Sequence, residues 1–171
     1  YNPDEMVKTN VLGAMNVLEA AKRAKVRRVV LVSSDKAYQP VSPYGLSKAL
    51  AEHLFLSANR MNLGPRAVVC RYGNVANSRG SVVPLFKAQH AAGKPLTVTD
   101  PGMTRFWITI QRAVEFVLQA LEQMRGGEIF VPAMPSFNLL DLAKAIAPDT
   151  MHATIGIRPG EKMHDDMISV H

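Results

Sequence analysis

Two short runs of consecutive apolar residues, Val29–Val32 and Ala67–Cys70, constrain this chain more than any other feature. Neither shows the alternation of a half-solvated strand, so each reads as a strand covered on both faces, as in a parallel sheet. Segments of helical period surround them. Asn2-Pro3-Asp4-Glu5 is a helix start, with Pro early and acids in the first turn, and Val7, Val11, Leu12, Met15, Leu18 and Ala21 carry an apolar stripe towards Lys25. Leu50, Ala51, Leu54 and Phe55 resume the helical period, predicting a second helix from Tyr44 to about Arg60. Helix and strand alternate without a low-complexity linker or a repeat, and the expected class is α/β.

Beyond Asn77 the pattern is more mixed. It predicts a helix over Val82–Ala92, a strand over Leu96–Thr99, a helix over Gln111–Met124 and a strand over Glu128–Val131. Asn138 is placed to cap a helix that Pro148 ends, and Ala153–Ile157 reads as a last strand before Arg158-Pro159-Gly160-Glu161-Lys162. This portion reads as a smaller substrate-binding lobe.

The functional signal lies where the first apolar run ends. Ser33-Ser34-Asp35-Lys36-Ala37 sets ionisable groups beside Tyr44-Gly45-Leu46-Ser47-Lys48, whose Tyr and Lys are spaced to share one helix face. A Lys ammonium near a phenol favours the phenolate, the form that takes an alcohol proton near neutral pH. A bare Y-x-x-x-K is weak, since ordinary helix-face pairing produces it too; the Ser-Ser-Asp-Lys just upstream strengthens it. A second polar cluster, Arg71-Tyr72-Gly73-Asn74, follows the second run. In open parallel sheets ligands sit at the carboxyl ends of strands, and both clusters occupy such ends.

Composition narrows the alternatives. With 47% apolar and 20% charged residues the chain has the make-up of a soluble globular protein. Its single Cys70 excludes a disulfide framework, no apolar run reaches membrane-spanning length, and the expected compartment is the cytoplasm. The net charge of +6 is scattered except for Lys22, Arg23, Lys25, Arg27 and Arg28, which solvation and helix-dipole compensation explain better than nucleic-acid binding. His53, His90, His152, His164 and His171 lack ligand-like spacing, so no metal is expected. No G-x-G-x-x-G turn occurs, and the chain opens at Tyr1 without an initiator Met. It is therefore expected to be the second half of a larger protein, and alone to bind no dinucleotide and show no turnover.

In order along the chain stand Lys8-Thr9-Asn10-Val11-Leu12-Gly13, Ser34-Asp35-Lys36-Ala37, Arg71-Tyr72-Gly73-Asn74-Val75, Ser78-Arg79-Gly80-Ser81-Val82-Val83-Pro84, Met103-Thr104-Arg105-Phe106-Trp107-Ile108-Thr109, Gly126-Gly127-Glu128-Ile129-Phe130-Val131-Pro132 and Gly156-Ile157-Arg158-Pro159-Gly160-Glu161-Lys162. In these segments the chain resembles the extended short-chain dehydrogenase/reductases, and within them the polysaccharide-biosynthesis branch that contains the inverting UDP-N-acetylglucosamine 4,6-dehydratases. Larger membrane-anchored relatives carry Met where this chain has Tyr44. The resemblance implies part of a Rossmann-like doubly wound parallel sheet plus a smaller C-terminal lobe. Residues 1–77 would be the second half of a dinucleotide-binding domain and 78–171 mainly the substrate-binding lobe, with interleaved segments.

The same resemblance assigns roles. Tyr44, assisted by Lys48, deprotonates the sugar 4-hydroxyl, and Ser34 orients the 4-oxygen. Lys36 is the base at the 5-position and Asp35 the acid for the departing 6-hydroxyl, where retaining dehydratases carry Asp-Glu. Tyr44, Lys48, Tyr72 and Gly73 contact the cofactor, NADP or else NAD. Asn74, Arg79 and Arg158 face the diphosphate, Arg because its fork binds bidentately. Glu161 faces the uridine ribose, with a structural ion pair the competing role, and Asn10 positions the active-site Lys through water. Phe106 and Trp107 either shape the lobe or fill its core. A UDP-sugar and further copies of the chain are the expected partners, with neither nucleic acid nor membrane. Another nucleotide-sugar enzyme of the superfamily, a 4-epimerase or a retaining dehydratase, is the alternative; a non-catalytic dinucleotide-binding regulator would have lost Tyr44 or Lys48.

Overall fold

In the computed structural model, which describes residues 2–61, 64–78 and 80–168, the two apolar runs pair in parallel. β1 (Arg28–Val32) and β2 (Arg66–Cys70) lie in register from Arg28 opposite Arg66 to Val32 opposite Cys70. β6 (Ile129–Phe130) adds in parallel to the other edge of β2. Ala67 through Cys70 are fully buried, as strands covered on both faces must be. β1 departs from the expectation, because the sheet order puts it at an edge and its Val32 is 43% exposed.

The connection from β1 to β2 is the expected second helix, α3 (Pro43–Ala58), started by Ser42, whose hydroxyl accepts from the Gly45 N–H. Asn59 ties its far end to β2: Nδ2 donates to the Phe55, Leu56 and Ala67 carbonyls, and Oδ1 accepts from the Ala67 N–H. The first helix is not continuous. α1 (Pro3–Met6) leads into a π-helical segment, Val7–Leu12, closed by Gly13 N–H on the Lys8 carbonyl, and α2 (Gly13–Arg23) follows. The π segment takes in an extra residue and turns Asn10 towards α3. Ala14, Ala51 and Phe55 of α2 and α3 pack with Ala67 and Val69, bordered by Val29 and Leu31.

These elements, with α5 (Ile110–Gln123) from Gln111 on, belong to a first compact unit of residues 1–72, 111–132 and 166–171. Its most buried electrostatic feature joins α3 to the end of β2. The Arg71 fork donates to both Glu52 carboxylate oxygens, at 3.1 and 2.6 Å, and its third nitrogen donates to the Met167 carbonyl. The Tyr38 ring stacks on the guanidinium at 5.6 Å.

The second unit comprises residues 73–110 and 133–165. β5 (Thr104–Ile108) pairs in parallel with β3 (Asn74–Val75) and antiparallel with β7 (Ser136–Asn138), while β4 (Leu96–Val98) pairs in parallel with β8 (His152–Thr154). α4 (Val82–Ala91) and α6 (Leu139–Ile146) contribute Phe86, Leu139 and Ala143 to a core with Leu96, Val98 and Met103. Asn138 caps α6 as expected, accepting from the Leu140 and Asp141 N–H groups. The last strand starts one residue earlier than its apolar pattern implies and ends at Thr154. β3 and β7 are too short for sequence periodicity to reveal. Among the described residues no helix is long and apolar enough to cross a membrane.

Removing one partner of a buried ion pair leaves the other charge uncompensated. Glu52→Met is therefore expected to destabilise the protein by about 3 kcal/mol or more, and Glu52→Met/Arg71→Met by less than either single change. Thermal melting of the two single variants and the double variant checks the order.

Candidate functional site

The backbone beyond β1 remains bonded to the backbone beyond β2. Ser33 N–H donates to the Cys70 carbonyl at 2.8 Å and Asp35 N–H to the Tyr72 carbonyl at 3.2 Å. Asp35–Ala37 then form a single 3-10 turn, capped by Ser34, whose hydroxyl accepts from the Lys36 N–H. The turn buries Asp35 to 2% exposure. Its carboxylate accepts from the Ser34 hydroxyl at 2.8 Å on Oδ1 and from Lys36 Nζ at 2.6 Å on Oδ2. Asp35 and Lys36 thus form a charge-assisted pair at a strand end, with the Lys side chain 31% exposed.

α3 lies directly on this turn, and Gly45 makes the approach possible. A Cβ there would stand 2.3 Å from the Lys36 carbonyl oxygen. Tyr44, beside Gly45, is 37% exposed. Lys48, one turn on, donates to the Val32 carbonyl at 2.7 Å, so it is anchored to the end of β1, where the sequence reading paired it with the phenol. Burial pushes the Lys48 amine below its ordinary value, opposed by the negative charge of Glu52. Asn10 donates to the Ser47 hydroxyl at 3.0 Å, which donates to the Tyr44 carbonyl at 2.8 Å. It therefore braces the backbone that carries Tyr44.

Tyr72 meets Phe116 edge-on with ring centroids 6.2 Å apart. Burial pushes its phenol upwards, with smaller contributions from Cys70 and Tyr44. The buried Cys70 thiol is pushed up to about 11 by desolvation, which leaves it inert as a nucleophile. Ser33, 5% exposed, has a hydroxyl with no hydrogen-bond partner among the described residues. Ser33, Ser47 and Gly45 were not singled out as site residues from sequence. The Gly was the readable signal, because glycine early in a helix is destabilising unless close packing requires it.

Within the second unit, a cavity of about 260 Å³ is lined by Asn74, Arg158 and Glu161 together with Arg105, Trp107 and Phe137. Arg79 lies outside the described residues, and Gly73 precedes Asn74 at the start of this unit. The two arginines of the cavity differ in availability. Arg105 is consumed by its own unit: Nε meets Asp165 at 3.3 Å, and its terminal nitrogens donate to the Thr104, Met163 and Lys162 carbonyls. Arg158 is exposed, and its fork has no partner among the described residues. Glu161 accepts from the Arg158 N–H at 3.3 Å, closing the turn between them. Trp107 and Phe137 meet at 4.8 Å, both lining the cavity and half-buried. Among the described residues no three His, Cys, Asp or Glu side chains gather as a metal site would require.

A family model described as polysaccharide biosynthesis protein matches residues 1–171. The chain belongs to that family. It is 50% identical over 172 aligned residues to the UDP-N-acetylglucosamine 4,6-dehydratase (inverting) of Campylobacter jejuni, covering 99% of this chain and 52% of the relative. It is 46% identical to a UDP-glucose 4-epimerase of Rickettsia canadensis, covering 99% and 51%. The X-ray structure of Pen from Bacillus thuringiensis superposes with a TM-score of 0.94 at 37% identity, covering 99% of this chain and 55% of that one. The chain therefore spans about half the length of the curated relatives it matches. Membership of the extended short-chain dehydrogenase/reductases and the expected fold class, a Rossmann-like sheet with a smaller lobe, are both borne out.

Gly45→Ala forces either α3 or the Asp35–Lys36 turn to move. Comparison of melting temperature and of the Lys36 amide resonance with those of the parent is expected to show destabilisation together with a displaced turn. Carbon NMR of the Lys48 side chain is expected to show titration below the ordinary lysine value. Because the folded form releases this proton first, stability rises with pH across the interval between its folded and unfolded values. That rise disappears in Lys48→Met.

Proposed function

We propose that the protein is a cytoplasmic nucleotide-sugar 4,6-dehydratase. It converts UDP-N-acetylglucosamine to a 4-keto-6-deoxy sugar with inversion at the 5-position, for surface-glycan or flagellin-glycan synthesis, and it works as a homo-oligomer. The observation that carries this reading is the Asp35–Lys36 pair on the turn after β1. The family resemblance gives an epimerase no acid-base pair at these positions and a retaining dehydratase Glu at position 36. The 50% identity to the Campylobacter enzyme supports it. Residues 1–77 are read as the second half of the dinucleotide-binding domain and 78–171 as mainly the substrate lobe.

A nicotinamide dinucleotide, NADP or else NAD, suits the donors at the carboxyl ends of β1 and β2. These are the Lys48 ammonium, the Tyr44 hydroxyl and the unpartnered Ser33 hydroxyl, with Tyr72 and Gly73 alongside in sequence. When bound, it supplies a reversible hydride acceptor. Tyr44 takes the proton from the 4-hydroxyl, Lys48 stabilises the phenolate, and Ser34 orients the 4-oxygen. Oxidation at the 4-position acidifies the neighbouring 5-proton.

Lys36 removes that proton as a neutral amine, and Asp35 protonates the departing 6-hydroxyl as a carboxylic acid, so water leaves. Lys36 Nζ and Asp35 Oδ2 stand 2.6 Å apart, side by side for these two roles. Reduction at the 6-position and protonation of the opposite face at the 5-position complete the reaction. Arg158, Arg79 and Asn74 hold the diphosphate, Arg158 with a fork that Arg105 does not have free. Glu161 takes the ribose.

The Rickettsia relative supports a second reading, a 4-epimerase. Proton NMR of UDP-N-acetylglucosamine with the full-length protein in heavy water separates the two, since an epimerase leaves the 5-proton in place. Tyr44→Phe is expected to lower turnover by ~100-fold or more with substrate affinity nearly intact. Lys36→Met is expected to retain nicotinamide reduction in a single turnover and lose deuterium entry at the 5-position. Asp35→Asn keeps that exchange and slows loss of the 6-hydroxyl. Parent-rate exchange by Lys36→Met would remove Lys36 as the base.

A further inference from the structure

At the starting ends of β1 and β2, about 16 Å along the strands from the polar cluster, charged residues from three segments converge. A cleft of about 920 Å³ is lined by Lys22 in the last turn of α2, Lys25 just after that helix, Arg27 and Arg28 at the start of β1, and Arg66 at the start of β2. Among the described residues no acidic one lines it. Arg28 donates to the Leu121 carbonyl at 3.0 Å, whereas the side chains of Lys22, Lys25, Arg27 and Arg66 have no partner among the described residues.

Helix-dipole compensation does not explain this arrangement. It accounts for Lys22 and Arg23 in the last turn of α2, and Arg23 already pairs with Glu19 at 2.9 Å. Arg27, Arg28 and Arg66 belong to strand starts, where no such dipole acts. Arg28 and Arg66 are register partners on neighbouring strands, a like-charge juxtaposition that costs stability. Lys25 adds a second local cost. Its φ of 53° is the left-handed helix-ending conformation that Gly or Asn adopts with least strain. Breaches of local preference that converge on one cleft mark a functional surface.

We infer that this cleft is a second anion site, for a ligand carrying at least two phosphate charges. Its two unpartnered Arg forks, on Arg27 and Arg66, match phosphate oxygens bidentately, and the lysines neutralise the remaining charge. The diphosphate of a soluble nucleotide and the phosphate of a lipid headgroup share this chemistry.

The test titrates full-length protein calorimetrically with inorganic pyrophosphate. In parallel, co-sedimentation compares vesicles of phosphatidylglycerol with vesicles of phosphatidylcholine. Both are repeated on Arg27→Ser/Arg66→Ser, and Arg158→Ala controls for the diphosphate contact assigned above. Pyrophosphate is expected to bind, more weakly as salt is raised. The double variant should bind at least ~10-fold more weakly, while Arg158→Ala retains the cleft's share. Binding to phosphatidylglycerol that the double variant loses would assign a lipid source, and pyrophosphate binding alone a soluble one. The ligand-free double variant should melt at or above the parent temperature, because repulsion has been removed. Undiminished binding by the double variant, binding to neither probe, or a lower melting temperature from a purely structural role would each overturn the inference.

Discussion

A chain leaving the carboxyl end of a parallel strand must find partners for its backbone groups, and the rest of this site depends on where it finds them. Ser33 and Asp35 donate to the backbone of Cys70 and Tyr72, so pairing outlasts the strands themselves. Asp35 enters the interior already fixed in direction, and its carboxylate is satisfied by its two sequence neighbours. Without this extension, a five-residue excursion containing a buried acid would carry unsatisfied polar groups.

One helix then carries three further functions on a single stripe. Tyr44, Lys48 and Glu52 recur four residues apart along α3. Tyr44 is presented beside the Asp35–Lys36 turn, Lys48 reaches the end of β1, and Glu52 grips Arg71 beyond β2. The helix is held from both strands it connects, and the missing Cβ of Gly45 sets its height above the turn. The π segment, through Asn10 and Ser47, braces it from its other neighbour. Position and protonation are coupled here, because the burial that fixes Lys48 also weakens its hold on a proton.

The parallel pair, its crossover helix and the cap at Asn138 were legible in the sequence because each rests on local pattern: apolar runs, helical period, a side chain that replaces a backbone partner. The Tyr44–Lys48 spacing was legible for the same reason. Lys48's anchor was not, since Val32 lies sixteen residues away and only the fold brings its carbonyl near. The occupancy of Arg105 was equally hidden, because most of its acceptors, the Lys162 and Met163 carbonyls and the Asp165 carboxylate, lie 57 to 60 residues on, and motif reading counts arginines without asking which are already spoken for. The π segment leaves the apolar stripe almost unchanged while altering the direction of a polar residue.

Cys70 closes the central strand of the first sheet with no exposed surface and a thiol pushed up to about 11. As the chain's single cysteine, it is shielded twice from alkylation, by lack of access and by scarcity of thiolate. Both shields fall together when β2 separates from its neighbours. The rate at which a thiol reagent modifies Cys70 is therefore a chemical clock for opening of the strand that it closes, built in without any engineered label.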